Sequence, residues 1–308
     1  MKILIELPTW LGDAVMTTPA IENLVIFFND CEVTLLGSIP AVNALKNHPK
    51  VTKTYVLDKN YLNLYKTIKS FGKFDIFISF RGSYRSKFIK FYVSSKKKYQ
   101  FNKNNFITGH QVEKYSNFIN NCININSTPG QLRINIQKQS KGTKNKLLGI
   151  NPGSSYGSAK RWYPKEFADV AAQLSNYYDI IIFGGPKETN IAKDIERFLI
   201  EKGVSNYKNI SAKTSINELI SKIANLDLFI TGDSGPMHIA AAFKIPTVAI
   251  FGPTEDKETS QWMNEKSLIV KKNLECQPCM KRKCPLKHHN CMKSIKSIDV
   301  LDAVNSII

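Results

Sequence analysis

With 308 residues, 43% of them hydrophobic and 10% aromatic, the chain has enough apolar side chains for two packed cores, which excludes a disordered or fibrous protein. No run approaches the roughly 18 uninterrupted apolar residues of a membrane span: Glu6 and Pro8 break the N-terminal stretch, and Asp227, Asp233, His238, Lys244 and Pro246 interrupt the most apolar region, from Ile223 to Phe251. A formal charge of +18 calls for an anionic partner, yet lysine and asparagine are spread along the whole chain, so runs such as Lys96, Lys97 and Lys98 read as solvated faces and the charge does not choose the polyanion.

In chain order, short β-branched or apolar runs alternate with helix-length amphipathic stretches. The run KILIELP precedes a helical pattern from Ala14 to Phe28, then come EVTLLG, a helix near Ala41, KTYVLD, a helix from Tyr61 to Phe71, the strand DIFISF and a helix from Tyr84 to Val93. Asn102 to Thr108 is polar and irregular, a helix spans Gln111 to Cys122, and the polar stretch from Gln137 to Lys146 reads as a linker. The rhythm then restarts: KLLGINPG, a helix after Pro164, DIIIFGG, a helix from Glu188 to Glu201, a short strand near Asn209, a helix from Ile216 to Ala224, DLFITGD, a helix from Gly235 to Phe243, and TVAIFGP. Strands alternating with helices predict two α/β domains with parallel sheets facing a central cleft, residues 1–145 and 146–296. Their ligands are expected at the carboxyl ends of the strands.

Three strand-to-helix loops carry chemistry. In TGDSGPMH, Gly232, Asp233, Ser234 and Gly235 open a helix, where backbone amides and the helix dipole suit a phosphate and Asp233 suits a sugar hydroxyl. The structural alternative is that Asp233 or Ser234 caps the helix, and that His238 is an ordinary helix residue. In NPGSSYGSAKRWYPKEF, Ser154 and Ser155 offer hydroxyls to phosphate oxygens and Lys160 a positive charge to a departing diphosphate. Arg161 and Trp162 stand where a P-loop has serine or threonine, so this is no P-loop; the alternative is a surface loop with a chance basic pair. In LPTWLGDAVMTTPAI, Gly12 and Asp13 lie at the tip of the first loop, and Asp13 can act as a general base or as the cap of the helix from Ala14.

Together these segments resemble the lipopolysaccharide heptosyltransferases of glycosyltransferase family 9 over nearly the whole chain: an early LGD loop, NPGSSYGSAKRWYP opening the second half, and DSGPMH followed by FGPTE. The wording of the second loop and the tail CQPCMKRKCPLKHHNCM lie nearer the second-heptose branch than the first. The resemblance implies a GT-B fold whose C-terminal helix, about Ser297 to Ile308, crosses back onto the first domain. It also implies an ADP-heptose donor, inversion at the anomeric carbon and no catalytic metal or required cofactor. By the same resemblance Asp13 is the base, Lys160 the diphosphate-binding lysine, Ser154 and Ser155 its neighbours, and Asp233 the donor-sugar contact. Gly12, Ser234, Gly235 and His238 complete the donor set. FRGSYRSKF, with Ser83, Tyr84 and Arg85, falls to the acceptor, and HQVEKY from His110 also matches. Tyr163 departs from the pattern, standing between Trp162 and Pro164 where many members have no residue. The implied partner is a lipid-anchored, phosphorylated core oligosaccharide, met by a cytoplasmic enzyme peripheral to an anionic membrane surface at the inner face of the inner membrane.

The tail also has Cys276, Cys279, Cys284 and Cys291 at C-x2-C-x4-C-x6-C spacing, with His288 and His289 nearby, which could surround a structural zinc or form a reduced, packed loop. A zinc-knuckle nucleic-acid binder is the non-enzymatic alternative, and it leaves the three loops unexplained. The first-heptose reaction on a Kdo-lipid A acceptor, or transfer from another nucleotide sugar, remains open as well.

Overall fold

The computed structural model describes residues 1–136 and 145–308, and the chain divides into two compact units, Met1–Ile136 and Gln137–Ile308. Most of the expected linker, from Gln137 to Lys146, lies outside the described residues.

The first unit runs β1 (Lys2–Glu6), α1 (Leu11–Met16), α2 (Thr18–Phe27), β2 (Glu32–Gly37), α3 (Ile39–Leu45), β3 (Val51–Val56), α4 (Tyr61–Ser70), β4 (Phe74–Ser79), α5 (Tyr84–Tyr92), β5 (Ser95–Gln100) and α6 (Gln111–Ile123). Its five strands are parallel in the order β3-β2-β1-β4-β5. The central strands are buried apolar runs, as a parallel sheet covered on both faces requires: Ile3, Leu4, Ile5, Leu36, Phe77 and Ile78 are inaccessible to solvent. The helix expected from Ala14 to Phe28 is two helices, because Thr17 ends α1 and Pro19, which has no N–H to donate, sits in the first turn of α2. Strand β5 is SKKKYQ, a segment the sequence presented only as a charge run; it pairs with β4 at the sheet edge, where lysines discourage further strand addition.

The second unit runs β6 (Lys146–Asn151), α7 (Pro164–Leu174), β7 (Tyr178–Ile182), α8 (Thr189–Glu201), β8 (Tyr207–Asn209), α9 (Ile216–Ala224), β9 (Leu228–Gly232), α10 (Gly235–Ala242), β10 (Thr247–Ile250), α11 (Asp256–Thr259), β11 (Ser267–Val270), α12 (Asn290–Lys293) and α13 (Ser297–Asn305). Six parallel strands are ordered β11-β10-β9-β6-β7-β8. The C-terminal helix α13 packs on α7, β10 and β11, with Val300, Leu301 and Val304 buried in the core that these elements share. The face of α13 that carries these three residues is thus covered by the sheet and helix of its own unit.

Each sheet reverses strand order beside its first strand, between β1 and β4 in one unit and between β6 and β9 in the other. Such a switch point opens a crevice at the carboxyl ends of the two strands, because the following connections leave in opposite directions. The LGD segment, which opens α1 and not a loop, follows β1, and Ser83–Arg85 at the start of α5 follow β4; the Ser154–Lys160 loop and Asp233 follow β6 and β9.

Candidate active site

At the β6/β9 switch point, register pairs Asn151 with Thr231. The Asn151 side-chain amide donates to Thr231 Oγ1 at 3.2 Å and to Ser234 Oγ at 3.1 Å, and the two hydroxyls lie 3.1 Å apart. Ser234 precedes α10 but makes no side-chain capping bond, so its hydroxyl is spent on this cross-strand network and the capping alternative is set aside. Asp233 does not cap either. Its Oδ2 accepts from Lys160 Nζ in an ion pair and from Thr254 Oγ1 at 2.7 Å. Lys160 and Asp233 side chains are only 11% and 7% exposed, and the ammonium also lies 4.6 Å from the Tyr156 ring centroid. One buried spot thus holds a cation, a carboxylate and a hydroxyl, drawn from three different loops. Gly235 begins α10, directly after Asp233 and Ser234, and His238 is buried one turn further on.

The Ser154–Lys160 loop is shaped by two close approaches. A Cβ on Gly153 would fall 2.0–2.4 Å from the carboxylate of Glu188, a buried residue whose Oε2 accepts from Gly185 N at 2.7 Å. A Cβ on Gly157 would fall 2.2 Å from the Arg282 carbonyl oxygen. Ser154 is buried between these points, Ser155 is exposed, and Ser158–Lys160 close a 3-10 turn. Tyr163, the residue that departs from the family pattern, precedes α7 and meets His289 Nδ1 through its hydroxyl at 3.2 Å, while Trp162 is buried and donates to Ile295 O at 2.9 Å.

The cysteine-rich segment braces these loops. Arg282 O accepts from Ala159 N at 3.1 Å, Met280 O accepts from Tyr156 Oη at 2.7 Å, and His289 Nε2 lies 2.9 Å from Ala159 O. Met280 N donates to Pro253 O and Gln277 Nε2 to Gly252 O, so the same segment holds the loop carrying Thr254. All six cysteines are free, and no three histidine, cysteine or acidic side chains among the described residues are arranged to hold a metal ion. Of the two readings of Cys276, Cys279, Cys284 and Cys291, a structural zinc is therefore not supported. Cys291 instead joins the apolar core of the second unit, where burial and the neighbouring Cys284, Cys276 and Cys279 push its thiol up to about 11.

In the first unit, α1 begins at Leu11, so Asp13 lies inside its first turn and Trp10 is the capping position. The carboxylate cannot be the N-cap that the sequence allowed. It is half-buried, and its charge together with the burial of Tyr115 on α6 raises that hydroxyl's pKa, burial being the larger cause. Gly12 is buried beside it. At the neighbouring β4 end, Ser83 caps α5 by accepting from Ser86 N at 3.2 Å, Tyr84 is exposed, and Arg85 donates to Lys59 O at 3.2 Å while lying 5.4 Å from the Tyr61 ring centroid. Ser83 therefore has a structural role whether or not it touches a ligand.

Beneath this loop sits Glu6, fully buried, accepting from Ser79 Oγ at 2.6 Å and Ser86 Oγ at 2.8 Å, with Arg81 Nη1 at 3.4 Å. Burial raises its carboxyl pKa against the opposing pull of those groups. Sequence reasoning treated Glu6 only as a break in an apolar run, and passed over Asn151, Thr231, Glu188 and Thr254. The signal for Asn151, Thr231 and Thr254 was present, since all three lie within quoted motifs; that for Glu6 was not, because Ser79 and Ser86 are distant in sequence.

Residues 62–290 match the profile described as Glycosyltransferase family 9 (heptosyltransferase). The chain is 41% identical to lipooligosaccharide heptosyltransferase 2 of Campylobacter jejuni subsp. jejuni serotype O:2, covering 100% of this chain and 98% of that one. It is 27% identical to lipopolysaccharide heptosyltransferase 1 of Campylobacter coli, covering 82% and 84%. Among solved structures, ADP-heptose LPS heptosyltransferase II of E. coli superposes with a TM-score of 0.82 at 19% identity, covering 100% of this chain and 98% of that one, so the two share the expected GT-B fold class.

Proposed function

Because the chain belongs to glycosyltransferase family 9, the heptosyltransferases, we propose that it transfers a heptose from ADP-heptose to the first heptose of a lipopolysaccharide or lipooligosaccharide inner core. The observation that carries the chemistry is the Lys160, Asp233 and Thr254 cluster at the β6/β9 switch point. A nucleotide-sugar transferase must stabilise a leaving diphosphate and orient the sugar whose bond breaks, and this cluster offers an ammonium for the first task and a carboxylate for the second. The second-heptose assignment draws support from the greater identity, over more of the chain, to a heptosyltransferase 2 than to a heptosyltransferase 1.

In the proposed reaction Asp13 takes the proton of an acceptor hydroxyl as that oxygen forms a bond to the anomeric carbon. The bond from the anomeric carbon to the β-phosphate oxygen breaks on the opposite face, which inverts the configuration. ADP leaves with the bond's electron pair, its charge stabilised by Lys160, by the amides and hydroxyls near Ser154 and Ser155, and by the N-terminus of α10, where Ser234, Gly235 and His238 complete the donor loop. Asp233 holds a heptose hydroxyl. Ser83, Tyr84 and Arg85 serve the acceptor, a lipid-anchored phosphorylated oligosaccharide at the cytoplasmic face of the inner membrane. No step assigned to these residues calls for a metal.

The test is incubation of the purified protein with ADP-heptose and a lipid A core carrying one heptose, with EDTA present, read by product mass. A gain of one heptose is expected. No gain, alongside transfer to the heptose-free Kdo-lipid A core, would move the assignment to the first-heptose reaction.

A further inference from the structure

Helices α4 and α5 pack side by side in the first unit, and the seam between them is aromatic: Tyr61 and Phe88 rings lie 5.1 Å apart, and Tyr65 and Tyr92 rings 5.0 Å apart. Only Leu64 and Ile68 of α4, and Ser86 and Ile89 of α5, are buried. The outward stripe leaves Leu62 at 72%, Phe91 at 75% and Tyr84 at 87% exposure. Large apolar side chains grouped in this way mark an interaction surface, unlike the scattered ones normal on any protein. Cations fringe them. Across both helices stand Lys66, Lys69, Lys87 and Lys90 with no carboxylate, while Arg85 turns its guanidinium inward to Lys59 O and the Tyr61 ring; Lys69 and Lys87 lie over the Tyr65 and Tyr84 rings at 5.5 and 5.2 Å.

We propose that the α4–α5 face docks on the surface of an anionic phospholipid bilayer. Leucine and phenylalanine enter the acyl boundary, tyrosines occupy the headgroup layer and lysines meet lipid phosphates, a division of labour that matches each side chain to the depth its chemistry favours. A protein partner would have to bring acidic groups to every lysine; a phosphatidylglycerol surface supplies them laterally without a fixed pattern. The placement suits a lipid-anchored acceptor, because both helices start at the carboxyl edge of the sheet, the edge that carries Asp13 and the Ser83–Arg85 loop. Docking does not depend on the identity of the transferred sugar, so it can fail or stand apart from the proposed reaction.

Co-sedimentation with phosphatidylcholine vesicles, with and without phosphatidylglycerol, tests it. Wild type is expected to bind only the anionic vesicles, and less at high salt. Lys66→Glu/Lys69→Glu should lower the partition coefficient about thirtyfold or more, and Leu62→Ser/Phe91→Ser about tenfold. Lys193→Glu/Lys208→Glu, exposed lysines of the second unit, gives the same change in net charge and should bind like wild type. Circular dichroism and transfer to a deacylated, soluble acceptor check that the variants are folded. The proposal is overturned if wild type does not bind anionic vesicles, if neutral vesicles bind equally well, if the patch and control variants behave alike, or if the patch variants instead abolish self-association seen by light scattering.

Discussion

Replacing Asp233 by asparagine separates the two tasks assigned to the second unit. Lys160 is engaged by Asp233, so a diphosphate must compete with that carboxylate for the ammonium. At 11% and 7% exposure the pair is closer to a buried ion pair, where removing one partner costs about 3–5 kcal/mol, than to an exposed one worth about 0.2–1 kcal/mol. Diphosphate binding has to weaken only part of that attraction, so removing the competing charge should improve ADP binding by about 1–2 kcal/mol, a factor of about 5 to 30 in Kd. The same change removes the contact assigned to the donor sugar, and kcat/KM for transfer should fall at least about tenfold. Titration calorimetry with ADP and a product-mass assay measure the two effects. Lys160→Met, which removes the cation, should weaken both. An ADP affinity in Asp233→Asn that is unchanged or lower than wild type would refute competition for Lys160.

Asp13→Asn should retain ADP affinity while transfer falls by about 10²–10⁴, the usual worth of a general base; a variant retaining full transfer rejects that role. Glu6→Gln probes the buried carboxylate. A pKa raised by folding contributes stability that is fully present below the unfolded carboxylate pKa and is lost as pH rises through the folded value. The melting temperature of Glu6→Gln relative to wild type should therefore climb as pH rises above the ordinary glutamate value of about 4.3, and a flat difference would contradict the shift. Gly157→Ala forces a Cβ to within 2.2 Å of the Arg282 carbonyl, so about 1–3 kcal/mol of stability should be lost, as in other overpacked sites. Calorimetric unfolding and ADP titration together should show the melting temperature and affinity falling in parallel, since the brace carries Lys160.

Much of the fold was legible because parallel sheets covered on both faces need continuous apolar strands and amphipathic helices, and both leave a local signature. KILIE, EVTLLG, the α9 helix from Ile216 and LFITG all lie where their patterns place them. Strand β5 was hidden, since an edge strand with three consecutive lysines has no apolar face to read. The residue types at the site were equally legible: a lysine six residues after Ser154 and an Asp-Ser-Gly turn are informative wherever they fall in such a fold.

By itself the sequence determined two α/β units, the loops at their strand ends and the chemical groups those loops carry, because periodicity and turn chemistry act over a few residues. Only the tertiary structure decided how those groups are spent. It joined Lys160 to Asp233 across 73 residues and placed Thr254 on the same carboxylate. It brought Ser79 and Ser86 to Glu6, made the cysteine segment a brace for the loops that carry Lys160 and Thr254, and seated α13 against its own sheet. Each of those outcomes depends on which buried polar group finds a partner and which apolar face is already covered. Burial brings such partners from distant strands, and no spacing along the chain records it.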